Sequence, residues 1–86
     1  MAELTDLPNL GKVVAAQLRR VGVVTPAQLR KLGSLGAALK LVHAGISVCS
    51  NKLYALEGAI RGVRWHSIPK DERTDLRKRF EERTTR

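Results

Sequence analysis

The sequence predicts an all-α protein, a compact bundle of about five helices in a single domain. Three observations carry that reading. Leu, Ala, Arg and Lys dominate the composition and favour helices, whereas alternating β-branched runs and hairpin dipeptides such as Asn-Gly are missing. Apolar residues recur at the three-to-four spacing of one helical face, most clearly over Leu53, Leu56, Ile60 and Val63. Eighty-six residues, 43% of them hydrophobic, suffice for one small core and not for two. Within that single domain, residues 1–86, the body runs from about 4 to 68, a C-terminal helix from about 69 to 82, and a frayed tail over 83–86.

Taken in order, Thr5 and Asp6 are helix-capping types, and Leu7-Pro8-Asn9-Leu10-Gly11-Lys12 reads as a tight turn feeding a helix. That helix is expected from Lys12 to Val21, with Leu10, Val14, Leu18 and Val21 inward and Arg19 and Arg20 outside. Gly22 stops it. Thr25-Pro26 is an N-cap followed by proline at the first helical position, opening a short helix to Leu32. Leu29 and Leu32 face inward there, Arg30 and Lys31 outward. Gly33 then ends this helix and Ser34 caps a third one running to about His43, with Leu35, Leu39 and Val42 buried and Gly45 closing it. The spacing Leu-x-x-Leu-Gly occurs at Leu7–Gly11 and again at Leu32–Gly36. The second copy is what tight joining of two helices produces whenever a C-cap, an N-cap and a leucine meet.

The bundle is organised around the fourth segment, Asn51 to Arg61, for which Ser50 is a suitable N-cap. Beside its leucine face it carries a small-residue face of Ala55, Gly58, Ala59 and Gly62, so it can be packed from several directions. A glycine inside a helix costs about 1 kcal/mol relative to alanine. Close approach of a neighbouring backbone at Gly58 would offset this, and Gly62 suits a C-cap. Glu57 is the sole acidic residue between Asp6 and Asp71. Two structural readings stand for it: an ion pair with Arg61 at i+4, or a carboxylate accepting hydrogen bonds from a loop's N–H groups. Catalysis is the weaker alternative. Leu53, Leu56, Glu57, Gly58, Ile60 and Trp65 are the expected structural core. Pro69 opens the last helix to about Glu82, with Asp71 and Glu72 favouring its N-terminus and Asp75/Arg79, Arg77/Glu81 and Lys78/Glu82 at ion-pair spacing. Leu76 and Phe80 alone give it an apolar edge. It should dock lightly and fray after Phe80, leaving Arg83 to Arg86 disordered.

The functional signal is charge. The formal net charge is +8, and from Lys12 to Arg64 nine basic residues stand against one acidic residue, Glu57. Such a surface attracts polyanions, nucleic acid foremost. The apolar runs are too short to cross a membrane, no signal segment opens the chain, and the lone Cys49 fits a reducing cytoplasm, so no membrane partner is expected. His43, His66 and Cys49 share no metal-ligand spacing, no Gly-rich phosphate loop occurs, and nothing orients a nucleophile. No metal, cofactor or enzymatic activity is expected. His43 is expected to be partly buried and hydrogen-bonded, and His66 beside Trp65 to pack or cap. The best candidate site is the turn Pro8-Asn9-Leu10-Gly11-Lys12. A small turn running into a helix N-terminus presents free N–H groups with partial positive charge, and Lys12 adds a full one. An ordinary turn whose N–H groups face water is the competing reading.

Leu7-Pro8-Asn9-Leu10-Gly11-Lys12 resembles the hairpin of helix-hairpin-helix DNA-binding motifs, and is similar to that in the C-terminal domain of the bacterial RNA polymerase α subunit. Leu4 to Phe80 as a whole resembles the C-terminal domain of the bacterial competence regulator TfoX/Sxy. The marks are Leu7–Gly11, Leu18–Val23 with Thr25, Leu29–Gly33, and above all Leu53–His66 with Pro69. Asn9 stands where such hairpins usually place glycine, and asparagine is the next best left-handed residue. The full regulator carries another domain before this one. The resemblance implies a helix-hairpin-helix, SAM-like fold and a part in transcriptional activation of DNA-uptake genes alongside a cyclic-AMP receptor protein. The expected function is therefore a non-enzymatic module contacting the DNA backbone, with Asn9, Gly11 and Lys12 holding phosphate and Arg19, Arg20, Arg30 and Lys31 as supporting charge. The alternative, from a different class, is an adaptor docking on a transcription factor or polymerase subunit.

Overall fold

Four α-helices account for most of residues 3–84, the part of the chain that the computed structural model describes. They are α1 (Lys12–Arg20), α2 (Pro26–His43), α3 (Ser50–Arg61) and α4 (Lys70–Thr84). Short 3-10 turns at Leu4–Asp6 and Trp65–Ser67 lead into α1 and α4, and no strand occurs among the described residues.

Helix ends explain the path of the chain. At the end of α1 the Val23 N–H donates to the Leu18 carbonyl at 2.9 Å and the Gly22 N–H to that of Arg19 at 3.1 Å. This pair of bonds needs a left-handed residue, and Gly22 has φ +88°. The same arrangement closes α3, where Val63 N–H reaches Gly58 O at 2.9 Å and Gly62 N–H reaches Ala59 O at 3.2 Å. Helix α2 starts as its sequence predicts. Gln28 N–H donates to Thr25 Oγ1 at 3.2 Å, Gln28 Oε1 accepts from the Thr25 and Val24 N–H groups, and Pro26 fills the first turn.

Two expected helices are one broken element. Gly33, at φ +81° and ψ +164°, breaks α2 into two helical segments at the expected position, and with α2 taken as one element the bundle has four α-helices where about five were expected. Ser34 is not used as a cap: its hydroxyl donates to Glu57 Oε1 at 2.6 Å. Nor does Ser50 cap α3, since Cys49 holds the extended N-cap position and Ser50 is already helical.

The core forms where α2 and α3 meet, joined by α1 and the Leu4 turn. Leu4, Leu18, Leu29, Leu41, Leu53 and Leu56 are its largest fully buried side chains. On α3, Leu53, Tyr54, Ala55, Leu56, Gly58 and Ala59 are all buried, so the helix is covered on several sides, as its two faces predict. Ile60 and Trp65 are half-buried against this core, and Val63 is exposed beyond the helix end. The expected inner residues of α2 need correction. Ser34, Ala37, Ala38 and Leu41 are buried there, whereas Leu35, Leu39 and Val42 are only half-buried. Small side chains on both partners suit close approach of the two backbones, and that selects Ala over Leu at the contact.

Helix α4 docks through few residues. Leu76 is buried and Phe80 half-buried, while Arg61 of α3 pairs with Glu72 at 2.7 Å. The Arg73 guanidinium lies 5.5 Å from the Trp65 ring centre and 5.9 Å from that of Tyr54, a cation–π contact to two rings. Asp75–Arg79 and Arg77–Glu81 close along the helix, whereas Lys78–Glu82 is not among the pairs formed. The helix continues to Thr84, past the expected fraying point, so Arg83 and Thr84 are helical; the remainder of the expected tail, 85–86, lies outside the described residues.

Candidate functional site

Asn9 takes the left-handed conformation its turn requires, at φ +71°, but its side chain points into the protein. Its Nδ2 donates to Val63 O at 2.9 Å, and its Oδ1 accepts from the Trp65 N–H at 3.2 Å. Asn9 therefore locks the hairpin turn onto the chain leaving α3, using its amide oxygen and one of its two amide N–H groups. The lock sits directly over Gly58. A Cβ there would lie 2.5 Å from Asn9 Nδ2, 2.7 Å from Val63 O and 3.0 Å from Trp65 N. This is the close backbone approach expected at Gly58, with an asparagine amide added to it.

Leu10 is buried in the core, and the end of the turn faces outward. Gly11 is the N-cap of α1 with no side-chain capping bond, and Gly11, Lys12 and Val13 are exposed. The first amides of α1 are thus left to solvent or a ligand. At about 100° per residue, Lys12 and Arg19 fall within about 20° of each other on an edge of α1 beside the buried Ala15, and Arg20 lies about 80° further round, away from Leu18; all three are exposed. From Lys12 to Arg19 this stripe is about 10 Å long. Arg19 and Arg20 also complement the C-terminal end of the helix dipole.

Charge pairing divides the molecule. From Leu7 through Leu56 the sequence has no carboxylate. Lys52 is tied to Gln17 Oε1 and to the Ser47 carbonyl. Among the described residues, Lys12, Arg19, Arg20, Arg30, Lys31 and Lys40 make no ion pair. In α3 and α4, where the carboxylates lie, three arginines are paired, while Lys70, Arg73 and Lys78 make no ion pair among the described residues. Arg61 Nε contacts Glu57 at 2.7 Å while its Nη1 contacts Glu72, and Arg77 and Arg79 are paired along α4.

Glu57 therefore follows the first of its structural readings. Partial burial is the strongest single influence on it and opposes ionisation. Hydrogen bonds from Ser34 and Arg61, with the charges of Arg61 and Arg79, outweigh burial and hold its carboxyl below 4.5. The same contacts raise Arg61, first through Glu57 and then Glu72. These residues line a cleft of about 570 Å³ between the Gly33 break, α3 and α4. Its acids are largely satisfied by its own arginines, so it acts as a joint between helices.

Lys31 and Lys40 flank a second, open depression of about 360 Å³ beside Gly22, Val23, Gln28 and Leu32. Arg30 projects from the same stretch of α2 and is exposed. Of the sequence-predicted phosphate ligands, the structure brings Gly11, Lys12, Arg19 and Arg20 onto one helix, turns Asn9 inward, and places Lys31 on the depression. His66 stacks on Trp65 at 3.8 Å, as expected, whereas His43 is exposed and not partly buried. No group of three or more His, Cys, Asp or Glu among the described residues is placed to hold a metal. No helix there is long and apolar enough to cross a membrane.

The profile of the TfoX C-terminal domain matches residues 1–80. The chain belongs to the TfoX C-terminal domain family. Two crystal structures from Listeria monocytogenes share its fold. An uncharacterized protein in a triclinic form is 41% identical, with a TM-score of 0.89 over 94% of this chain and 92% of that one. A protein of unknown function in a tetragonal form is 40% identical, with a TM-score of 0.83 over 92% of this chain and 96% of that one. No curated protein matches. The Leu53–Trp65 block that marks the TfoX resemblance is mostly hub and lock, and so belongs to the fold more than to a binding face.

Proposed function

We propose that this TfoX-type domain is a non-enzymatic module that contacts the DNA backbone in transcriptional regulation. The observation that carries the reading is the unpaired positive face of α1, which begins at an uncapped, exposed N-terminus. Amides of the first turn and the Lys12 ammonium would hold one phosphate, where helix dipole and full charge act together. Arg19 and Arg20 would meet phosphates further along, with Arg30 as supporting charge. A stripe of about 10 Å covers on the order of three base-pair steps at about 3.4 Å each. Contacts of this kind position a protein on duplex without reading its sequence.

The experiment is fluorescence anisotropy of a labelled duplex of arbitrary sequence at low salt. The wild-type domain is expected to bind it, and Lys12→Glu to weaken binding by about tenfold or more, since it replaces an attraction by a repulsion at the same spot. Equal binding by Lys12→Glu would remove the hairpin turn from the site. Absence of binding by the wild type would leave the adaptor alternative as the reading to pursue.

A further inference from the structure

The depression beside the end of α1 has a chemistry that a duplex does not match. We propose that it receives a short segment of a protein partner in which one large apolar side chain is flanked by carboxylates. Its floor is apolar, made by Gly22, Val23 and Leu32, and its volume of about 360 Å³ suits one such side chain. Lys31 and Lys40 stand on the rim, and no acidic residue contributes to it.

The placement of those two lysines follows from the break in α2. Nine residues along an unbroken α-helix amount to about 900°, which puts two side chains on opposite sides. Gly33 lies between them with non-helical angles, and both lysines border the same depression. Neither makes an ion pair among the described residues, so both charges are available to a ligand. Phosphodiester backbone offers nothing to fill an apolar floor. An apolar anchor between two carboxylates satisfies floor and rim at once, in the way a central anchor and charged rim divide the work at protein interfaces. This surface is separate from the α1 stripe proposed for DNA and does not depend on it.

The test is an NMR titration of the ¹⁵N-labelled domain with a synthetic peptide carrying one phenylalanine between glutamates. Two controls are an all-glutamate peptide of the same charge and a DNA duplex. Shifts are expected to concentrate at Gly22, Val23, Gln28, Lys31, Leu32 and Lys40. Combined Lys31→Ala and Lys40→Ala, both on exposed side chains, is expected to weaken the peptide about tenfold. The proposal is overturned if the all-glutamate peptide binds as well, which would make the rim a charge patch only. It is also overturned if the peptide's shifts fall on Lys12–Arg20, or if none appear at millimolar peptide. Each of these results leaves the outcome for Lys12→Glu on duplex unaffected, so the two surfaces stand or fall separately.

Discussion

Gly58→Ala tests the lock at the centre of the fold. In an ordinary helix interior, alanine in place of glycine stabilises by about 1 kcal/mol. Here the added Cβ would lie 2.5 Å from Asn9 Nδ2 and 2.7 Å from the Val63 carbonyl. The amide can swing away, but only by giving up its bonds to Val63 O and Trp65 N–H. The carbonyl belongs to the residue whose N–H closes the two-bond cap that ends α3, so its retreat breaks the Asn9 bond and strains that cap. Overpacking of this kind costs about 1–3 kcal/mol. Losing two hydrogen bonds adds about 0.5–1.5 kcal/mol each, partly for the same displacement. With the propensity gain subtracted, the net is about 2–3 kcal/mol of destabilisation. For a domain of this size that corresponds to a fall in melting temperature of about 10–20 °C, read by circular dichroism. Asn9→Gly keeps a left-handed turn while deleting the side chain, so the Gly58→Ala penalty should shrink in that background. An alanine variant that melts at or above the wild type would refute the lock.

Other expectations follow from the α3–α4 joint. Because the Glu57 pKa is depressed in the folded protein, its stabilising contribution is present above 4.5 and is lost as pH falls through the lower folded value. Glu57→Gln should therefore flatten the acid limb of a melting-temperature-versus-pH curve below 4.5; an unchanged limb would remove Glu57 from the joint. Ser34→Ala deletes one donor to that carboxylate and should destabilise by about 1–2 kcal/mol in urea unfolding, whereas no change would mean that the bond carries nothing. Arg73→Ala removes the contact to Tyr54 and Trp65, worth about 0.5–1 kcal/mol, and should raise amide exchange in α4 more than in α3. Equal change in both helices would argue against a lightly docked α4.

What the sequence revealed was local. Thr25-Pro26, Gly22 and Gly62 mark helix ends because caps depend on a residue and its near neighbours. The register of α2 was less legible, because a helix pressed against α3 buries Ala37 and Ala38 ahead of larger neighbours, and hydrophobicity does not rank residues that way. Asn9 was recognisable as a left-handed residue from its type and its turn. That its amide would be used 54 positions away, over a glycine chosen for that approach, has no local signal. The positive charge of the first two helices could be counted directly. Which cations stay unpaired could not, since Arg61, Arg77 and Arg79 look no different in sequence from Arg19 and Arg20. The meeting of Lys31 and Lys40 depends on the break at Gly33, which composition places but whose geometry only coordinates supply.

Salt dependence of duplex binding tests the central claim most directly. If Lys12, Arg19 and Arg20 each neutralise a phosphate, the logarithm of the binding constant should fall linearly with the logarithm of salt, with a slope of about −2.7, or about −0.9 per phosphate. Lys12→Glu should make that slope shallower by about one such step. A slope near zero, or one that Lys12→Glu leaves unchanged, would contradict a phosphate-binding face on α1.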